Sequence, residues 1–388
     1  MRVPAELHFS LDEFAARLAA LRQRMVAAGI DVLLLTTPEN IYYLSGYQTP
    51  GYYFYLALVV PVDGEPVLIP PPHEESLVDV LSISPTYRLY RDTNDWIALT
   101  RDVLVELGAE RGRVGVENGS WFLTSRDYLR LAAMMTEARF VDGSGLVEQG
   151  RMIKSARELE YMRAAARAAQ AGVAEGLGAI RAGATEAEVA IAIHRGQLAA
   201  GSEYPAMPSF VTSGLRSLQV HATWSPKRLA AGEVVFIEVP GVLHRYHAAL
   251  TRAAWLGGDP PDRLLRAVEV GQDALARAKA AIRPGRPASE AFEAARDRID
   301  SANIGYRQGR RVGYAMGTAF PPGWDEGHII SLNRNEPRPL QPGMVFHVIT
   351  TMRLAGLGAI GMSDTVLVTA SGSETLTADI PPGLTLRP

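Results

Sequence analysis

Val234-Val-Phe-Ile-Glu-Val-Pro-Gly-Val-Leu-His-Arg-Tyr-His-Ala-Ala-Leu-Thr-Arg252 is the stretch whose reading decides the fold. Its apolar positions carry strand-forming residues, and Pro240 with Gly241 supplies turn chemistry between two runs, so the stretch predicts a hairpin turning at that pair. Glu238, Arg245, Tyr246, His247 and Arg252 crowd ionisable and hydrogen-bonding groups onto this apolar scaffold. Such density belongs more to functional sites than to an edge hairpin with a solvated face.

Around this stretch, composition narrows the possibilities. A chain of 388 residues exceeds one ordinary core, so two domains are expected, and 47% hydrophobic content implies a globular protein. No run is long and apolar enough to span a bilayer, and the start, Met1-Arg-Val-Pro-Ala-Glu-Leu-His8, lacks the apolar stretch of a secretory signal. The expectation is a cytoplasmic protein with no membrane partner. Zero cysteines remove disulfides, thiolate metal sites and cysteine nucleophiles together, so any metal would need His, Asp or Glu. A net charge of −3, with Arg interleaved among Glu and Asp, leaves no polybasic footprint and argues against a nucleic-acid partner.

Upstream, Ser10 caps a helix whose stripe is Phe14, Leu18, Leu21 and Met25, ending at Gly29. A buried strand, Ile30–Leu35, leads into a turn and short helix over Thr37–Gly46. Strand signals at Tyr55–Val62, Pro66–Ile69 and Arg113–Val116, with a helix at Ile97–Leu107, complete an α/β domain spanning 1–147. Its loop Tyr47–Tyr55 is crowded with aromatic residues, which fill a small core or form a lid. A second domain, 151–388, opens with a capping box at Ser155 and Glu158; another at Thr185 and Glu188 starts its next helix. The whole reads as α/β (α+β).

Several phrases resemble the pita-bread superfamily, which includes methionine aminopeptidase, prolidase, creatinase and ectoine hydrolase. The opening helix followed by Gly29–Tyr47 is similar to the creatinase and prolidase N-terminal domain, and Ile153-Lys-Ser, Glu158 and Met162-Arg resemble the start of the pita-bread catalytic domain. In the metallopeptidases the hairpin carries two metal-binding aspartates; here those places hold Glu238 and Ala249. The other three ligand places hold Tyr314, Ile349 and Ser363. One carboxylate cannot offset the charge of two adjacent cations, so no catalytic metal and no other cofactor is expected.

The resemblance is to the metal-independent members, creatinase and ectoine hydrolase, at His221-Ala-Thr-Trp224, at Glu238–Arg252 and at Phe320-Pro-Pro-Gly-Trp-Asp-Glu326. It implies hydrolysis of a C–N bond in a small amidine, guanidino or cyclic substrate, in a homodimer whose partner subunit brings an N-terminal loop, here with Tyr52 and Tyr53, toward the pocket. His221 stands where creatinase has its acid/base, and Glu238 is read as general base or covalent nucleophile, with Glu326 a second carboxylate for the planar cation. Trp224, Tyr246, His247, Tyr314, Trp324 and His328 are candidates to orient ligand or water, and Arg245, Arg252 or Arg311 to meet a substrate carboxylate. His347, inside an apolar strand, reads as a core histidine. Three alternatives stand beside this: a lyase or cyclase on a small biosynthetic intermediate, a non-catalytic pseudo-peptidase, and an Xaa-Pro metalloaminopeptidase with unorthodox ligands.

Overall fold

The computed structural model describes residues 4, 6–84, 86–91, 94–304 and 309–388. The chain divides into two compact units, Met1–Arg151 and Met152–Pro388. Arg151, read from the sequence as the first residue of the second domain, closes the first unit, where it donates to Asn40 Oδ1 at 2.6 Å.

In the first unit the chain runs α1 (Leu11–Ala28), β1 (Val32–Leu35), α2 (Pro38–Ser45), β2 (Ala57–Pro61), β3 (Val67–Ile69), α3 (Glu75–Leu81), β4 (Thr86–Tyr87), α4 (Trp96–Glu106), β5 (Arg113–Val116), α5 (Ser125–Met134), β6 (Arg139–Asp142) and α6 (Glu148–Arg151). The six strands form one sheet in the order β4-β3-β2-β1-β5-β6. Helix α1 starts where Ser10 accepts from the Glu13 backbone at 3.2 Å and stops at Gly29, whose φ of 64° suits glycine. Parallel strands β1 and β5 end side by side, and there the Glu117 carboxylate takes the Thr36 and Thr37 amides at 2.6 and 2.8 Å and Asn40 Nδ2 at 2.5 Å. Burial and the neighbouring Glu148 raise Glu117 to about 7.

The second unit runs α7 (Ala156–Ala179), α8 (Glu186–Ala199), β7 (Phe210–Ser213), a 3-10 turn (Gly214–Leu218), β8 (Glu233–Leu243), β9 (Tyr246–Leu256), α9 (Asp262–Ala281), α10 (Ser289–Ala302), β10 (Arg311–Ala315), β11 (Ser331–Asn333), β12 (Val345–Leu354), β13 (Gly358–Val368), β14 (Ser373–Thr375) and β15 (Leu384–Arg387). One sheet has the order β15-β9-β8-β7 and the other β11-β10-β12-β13-β14. Helices α7 and α8 pack on the first around Val173, Ile193, Ile237 and Leu250. Helices α9 and α10 cover the second around Leu275, Phe292, Phe346 and Met362. Both capping boxes expected in the sequence are present, at Ser155 with Glu158 and at Thr185 with Glu188. Side chains join the sheets: Thr365 Oγ1 bonds the Ala249 amide and carbonyl at 2.9 Å each, and Ser363 Oγ accepts the Thr251 amide at 2.7 Å.

The hairpin exists, but it does not turn at Pro240–Gly241. Strands β8 and β9 continue in register to Leu243↔Tyr246, and His244 and Arg245 make the turn with φ of 48° and 65°. Non-glycine residues are disfavoured there, and Glu203 compensates by accepting their amides at 2.8 and 3.2 Å. Burial alone would raise the Glu203 carboxyl, but the His244 and Arg245 hydrogen bonds and the Arg245 charge outweigh it and bring it to about 2. Pro240 is tolerated because the Ala249 amide opposite it bonds Thr365, so the pair exchanges no ladder bond, and pairing with β7 has already ended at Glu238. Gly241 serves close packing: a Cβ would overlap the Ala165 carbonyl of α7 and lie 2.6 Å from Ala169 N.

Candidate active site

Glu238 on β8 pairs with Phe210 of β7 on one side and with Thr251 of β9 on the other. The Thr251 amide bonds Ser363, so Glu238 and Thr251 form a close pair without ladder bonds, with both side chains on one face. Glu238 is 9% exposed, and no described side chain donates to its carboxylate. Burial alone raises it to about 7.

The second sheet presents a hydrogen-bonded chain to the same region. Tyr314 on β10 lies opposite His347 on β12, and Ser363 on β13 opposite Ile349. Trp324 Nε1 donates to Tyr314 Oη at 3.0 Å, Tyr314 Oη meets His347 Nδ1 at 2.8 Å, His347 Nε2 meets Ser363 Oγ at 2.5 Å, and Ser363 donates to Thr251 Oγ1 at 2.8 Å. One tautomer closes this chain. Because the Ser363 proton goes to Thr251, His347 Nε2 donates to Ser363 and Nδ1 accepts the Tyr314 proton. Burial, then the Arg311 and Arg252 charges, hold His347 neutral, with its pKa down at about 3. Burial and the Glu238 charge push the Tyr314 phenol well above its ordinary value. Tyr314 is therefore a neutral phenol whose proton is committed, and its oxygen is left as an acceptor beside Glu238.

His221 is exposed, in the turn after the 3-10 segment, with φ of 63°. Its ring lies 6.1 Å from Phe210, which in turn is 6.1 Å from Trp324. Glu238, Tyr314, Trp324 and His221 thus gather around Phe210.

Other expected site residues are committed elsewhere. His247 accepts the Ala206 amide at Nε2 (3.0 Å) and bonds the Arg245 carbonyl through Nδ1 (2.8 Å); burial and the Arg245 charge depress it to about 3, so it fixes backbone. Arg252 donates to the Thr251, Ser363 and Ile380 carbonyls and to Asp364, and Arg245 to the Ala319 and Tyr204 carbonyls, which makes both buried guanidinium groups structural. Tyr246 donates to Glu158 at 2.7 Å. Trp224 packs edge-on to His194 of α8 at 5.5 Å, against the core beneath the first sheet. Glu326 is not a free carboxylate: Lys154 Nζ lies 3.0 Å from it, with both side chains at most 2% exposed. Arg311 pairs with Asp325 and stacks over the Tyr314 ring at 4.4 Å, and His328 lies in the exposed loop beyond.

In the first unit, the aromatic loop divides between packing and exposure. Tyr47 is buried against Glu74, Tyr55 bonds Thr100 at 2.9 Å, and Tyr52 meets Phe122 edge-on at 5.8 Å, whereas Tyr53 is 77% exposed. His347 is the satisfied core histidine its apolar strand suggests, fully buried and bonded at both ring nitrogens, and it also links Tyr314 to Ser363; for Lys154, Phe210 and Thr251 the sequence carries no separate expectation. The available signal was a row of polar residues, His347, Ser363 and Thr365, in otherwise apolar strands.

The donor set does not fit a dinuclear metal centre. Of the five places where the family resemblance puts ligands, Ala249 and Ile349 offer no donor, Tyr314 and Ser363 are bound to His347, and Glu238 supplies the one carboxylate. Among the described residues no group of three or more His, Cys, Asp or Glu is placed to hold a cation. Among them, too, no helix is long and apolar enough to cross a membrane.

Comparison with known proteins agrees with this architecture. Residues 17–153 match the creatinase/prolidase N-terminal domain, and residues 160–370 match metallopeptidase family M24. The ectoine hydrolase of Halomonas elongata is 29% identical over 98% of both chains. The uncharacterized hydrolase/peptidase y4tM of Sinorhizobium fredii is 31% identical over 96% of this chain and 97% of its own. Dipeptidase PepE from Mycobacterium ulcerans superposes with a TM-score of 0.83 at 25% identity, covering 97% of this chain and 99% of its own. The chain belongs to metallopeptidase family M24, with a creatinase/prolidase N-terminal domain ahead of a pita-bread catalytic domain in which one of the five ligand places keeps a carboxylate.

Proposed function

We propose that this protein is a metal-independent hydrolase that cleaves a C–N bond in a small amidine, guanidino or cyclic substrate. The observation that carries the reading is a buried site whose central groups are acceptors: the Glu238 carboxylate, which no described side chain reaches as a donor, and the oxygen of a Tyr314 phenol whose proton goes to His347. A planar cation with N–H donors on two edges complements such a pair. Its charge also brings the Glu238 pKa down on binding, so the carboxylate ionises as substrate enters.

In this reading Glu238 takes a proton from a water molecule, the water oxygen bonds to the amidine carbon, and the C–N bond breaks with its electron pair leaving on nitrogen. His221, protonated, hands a proton to that nitrogen, and the hydroxyl on the carbon releases its own proton to solvent as the carbonyl forms. The proton on Glu238 passes by way of solvent to His221, so both groups are reset. The similarity to an ectoine hydrolase supports the substrate class, and the single carboxylate at the metal places supports the absence of a metal from the reaction.

The test is hydrolysis of ectoine-like rings, amidines and guanidino acids by protein treated with a strong chelator, alongside Glu238→Gln. Turnover that survives chelation and falls by about two to four orders of magnitude in the variant is expected. Full activity in Glu238→Gln would remove Glu238 from the chemistry, and cleavage of Xaa-Pro dipeptides that appears only with added Mn2+ would replace this reading with a peptidase one.

A further inference from the structure

His221 lies at the exposed tip of a loop whose two ends meet at one buried carboxylate. Glu186 opens helix α8, where the positive end of the helix favours a negative side chain, and it is fully buried. Its Oε1 accepts the Ser213 amide at 2.8 Å and the Ser213 hydroxyl at 2.9 Å, at the end of β7 where the loop departs. Its Oε2 accepts the Ser225 hydroxyl at 2.6 Å, where the loop returns. Arg216 spans the two limbs: Nε lies 3.3 and 3.2 Å from the two carboxylate oxygens, and Nη2 donates to the Thr223 carbonyl at 2.8 Å.

The backbone repeats this closure. The Glu186 and Ala187 amides at the start of α8 donate to the Lys227 and Ser225 carbonyls at 3.0 and 3.2 Å, so the returning limb covers the helix end that carries the carboxylate. On the outgoing limb Ser217 Oγ accepts the Ala359 amide of β13 and donates to the Gly214 carbonyl, both at 2.6 Å. Residues 218–222 form the tip between these anchors. There Val220 and His221 are exposed, and His221 takes a φ of 63°, which a non-glycine residue keeps only where the chain on both sides is fixed. Among the described residues no hydrogen bond holds the His221 ring, so its place is set by its loop and by the Phe210 ring 6.1 Å away.

We propose that Glu186 is a positioning residue for His221: its carboxylate holds both limbs of the loop 213–225 at one point and so sets where the imidazole stands relative to Phe210 and Glu238. A carboxylate suits the task because its two oxygens accept several hydrogen bonds at once and its charge retains Arg216. That His221 supplies a proton to the leaving nitrogen rests on the hydrolase reading; that Glu186 holds its loop does not. A proton donor works only within hydrogen-bond reach, and a displacement of about 1 Å costs on the order of a hundredfold in rate.

Hydrogen–deuterium exchange of the whole chain reads the clamp without turnover. Peptides covering 213–225 are expected to exchange about tenfold faster or more in Glu186→Ala, while β8 and β9 keep their native rates. Ser225→Ala, a milder cut that leaves Glu186 bonded to Ser213 and Arg216, should show a smaller increase in the same peptides. With an amidine substrate, kcat is expected to fall by about tenfold to a hundredfold in Glu186→Ala and KM to stay within about threefold. Two readouts separate positioning from a general loosening of the fold. Glu186→Ala/His221→Asn should turn over no more slowly than His221→Asn alone, and a substrate whose weakly basic leaving nitrogen departs without a proton should lose less than about threefold. Losses that multiply in the double variant, or that fall equally on both substrates, make Glu186 merely structural and overturn the proposal, as do native exchange and native turnover in both single variants. If Glu186→Ala does not fold, Ser225→Ala carries the same readouts. A native chain that hydrolyses no amidine removes the hydrolase reading and the role of His221 in it; faster exchange then still supports the clamp, and unchanged exchange overturns it.

Discussion

Glu238 carries its functional tension in its protonation. A carboxyl that is 9% exposed and raised to about 7 keeps its proton in the folded chain over a range where the unfolded chain has already released it. Between about pH 4.5 and 7 the folded state binds more protons than the unfolded one, so this group's contribution to stability falls as pH rises. Above pH 7 the loss accumulated across the interval from about 4.5 to about 7 is roughly 3 kcal/mol at most. Glu238→Gln removes the charge and brings an amide donor to neighbours that are acceptors. The variant is expected to be more stable than the native chain by about 1–3 kcal/mol at pH 8 and nearly equal at pH 5, as read by denaturant unfolding. Identical stability at pH 8 would mean that the carboxylate is well solvated when charged. A residue whose replacement strengthens the fold while stopping turnover is held for chemistry and not for packing.

At the level of elements, the hairpin shows what local sequence conveys and what it does not. The capping boxes at Ser155 and Thr185 and the strands around Glu238 were legible because the forces that form them act within a few residues. The turn was not, because His244 and Arg245 keep positive φ through Glu203, some forty residues upstream, and Pro240 and Gly241 answer to β7 and α7. In the site, Glu238 was legible as a carboxylate in an apolar run and Tyr314 through the family resemblance alone, while the commitments of His247 and Arg252 to backbone carbonyls and amides come from distant strands and loops. His347 is core, as its apolar strand indicates, but its partners Tyr314 and Ser363 come from other strands, so the chain it joins was not legible. If Gly241 exists for packing, Gly241→Ala forces its new methyl onto the α7 backbone, which cannot yield as a side chain does. A loss of about 3 kcal/mol or more, or failure to accumulate as folded protein, is expected. A loss below about 0.5 kcal/mol in the same denaturant measurement would show that α7 shifts freely away from the hairpin.

At the scale of the whole molecule, the first unit exposes aromatic surface that its own packing does not use. Tyr53 is 77% exposed and Trp121 78%, Phe54 lies tilted against Tyr53 with ring centroids 4.7 Å apart, and the Tyr52 contact with Phe122 brings the two loops together. Large rings left bare on neighbouring loops are disfavoured in water unless another surface covers them, and aromatic residues are enriched in protein interfaces. We propose that a second copy of the chain covers them in a homodimer, the assembly that the resemblance to creatinase implies. Sedimentation equilibrium at micromolar concentration is then expected to give twice the 42.0 kDa mass of the chain. Replacing Tyr53, Phe54 and Trp121 together by serine should shift the distribution toward single chains without lowering the unfolding midpoint of either unit, since exposed rings contribute little to folding. A native protein that sediments as a single chain would leave these rings for another partner and would remove the expectation that a neighbouring subunit lends Tyr52 or Tyr53 to the pocket.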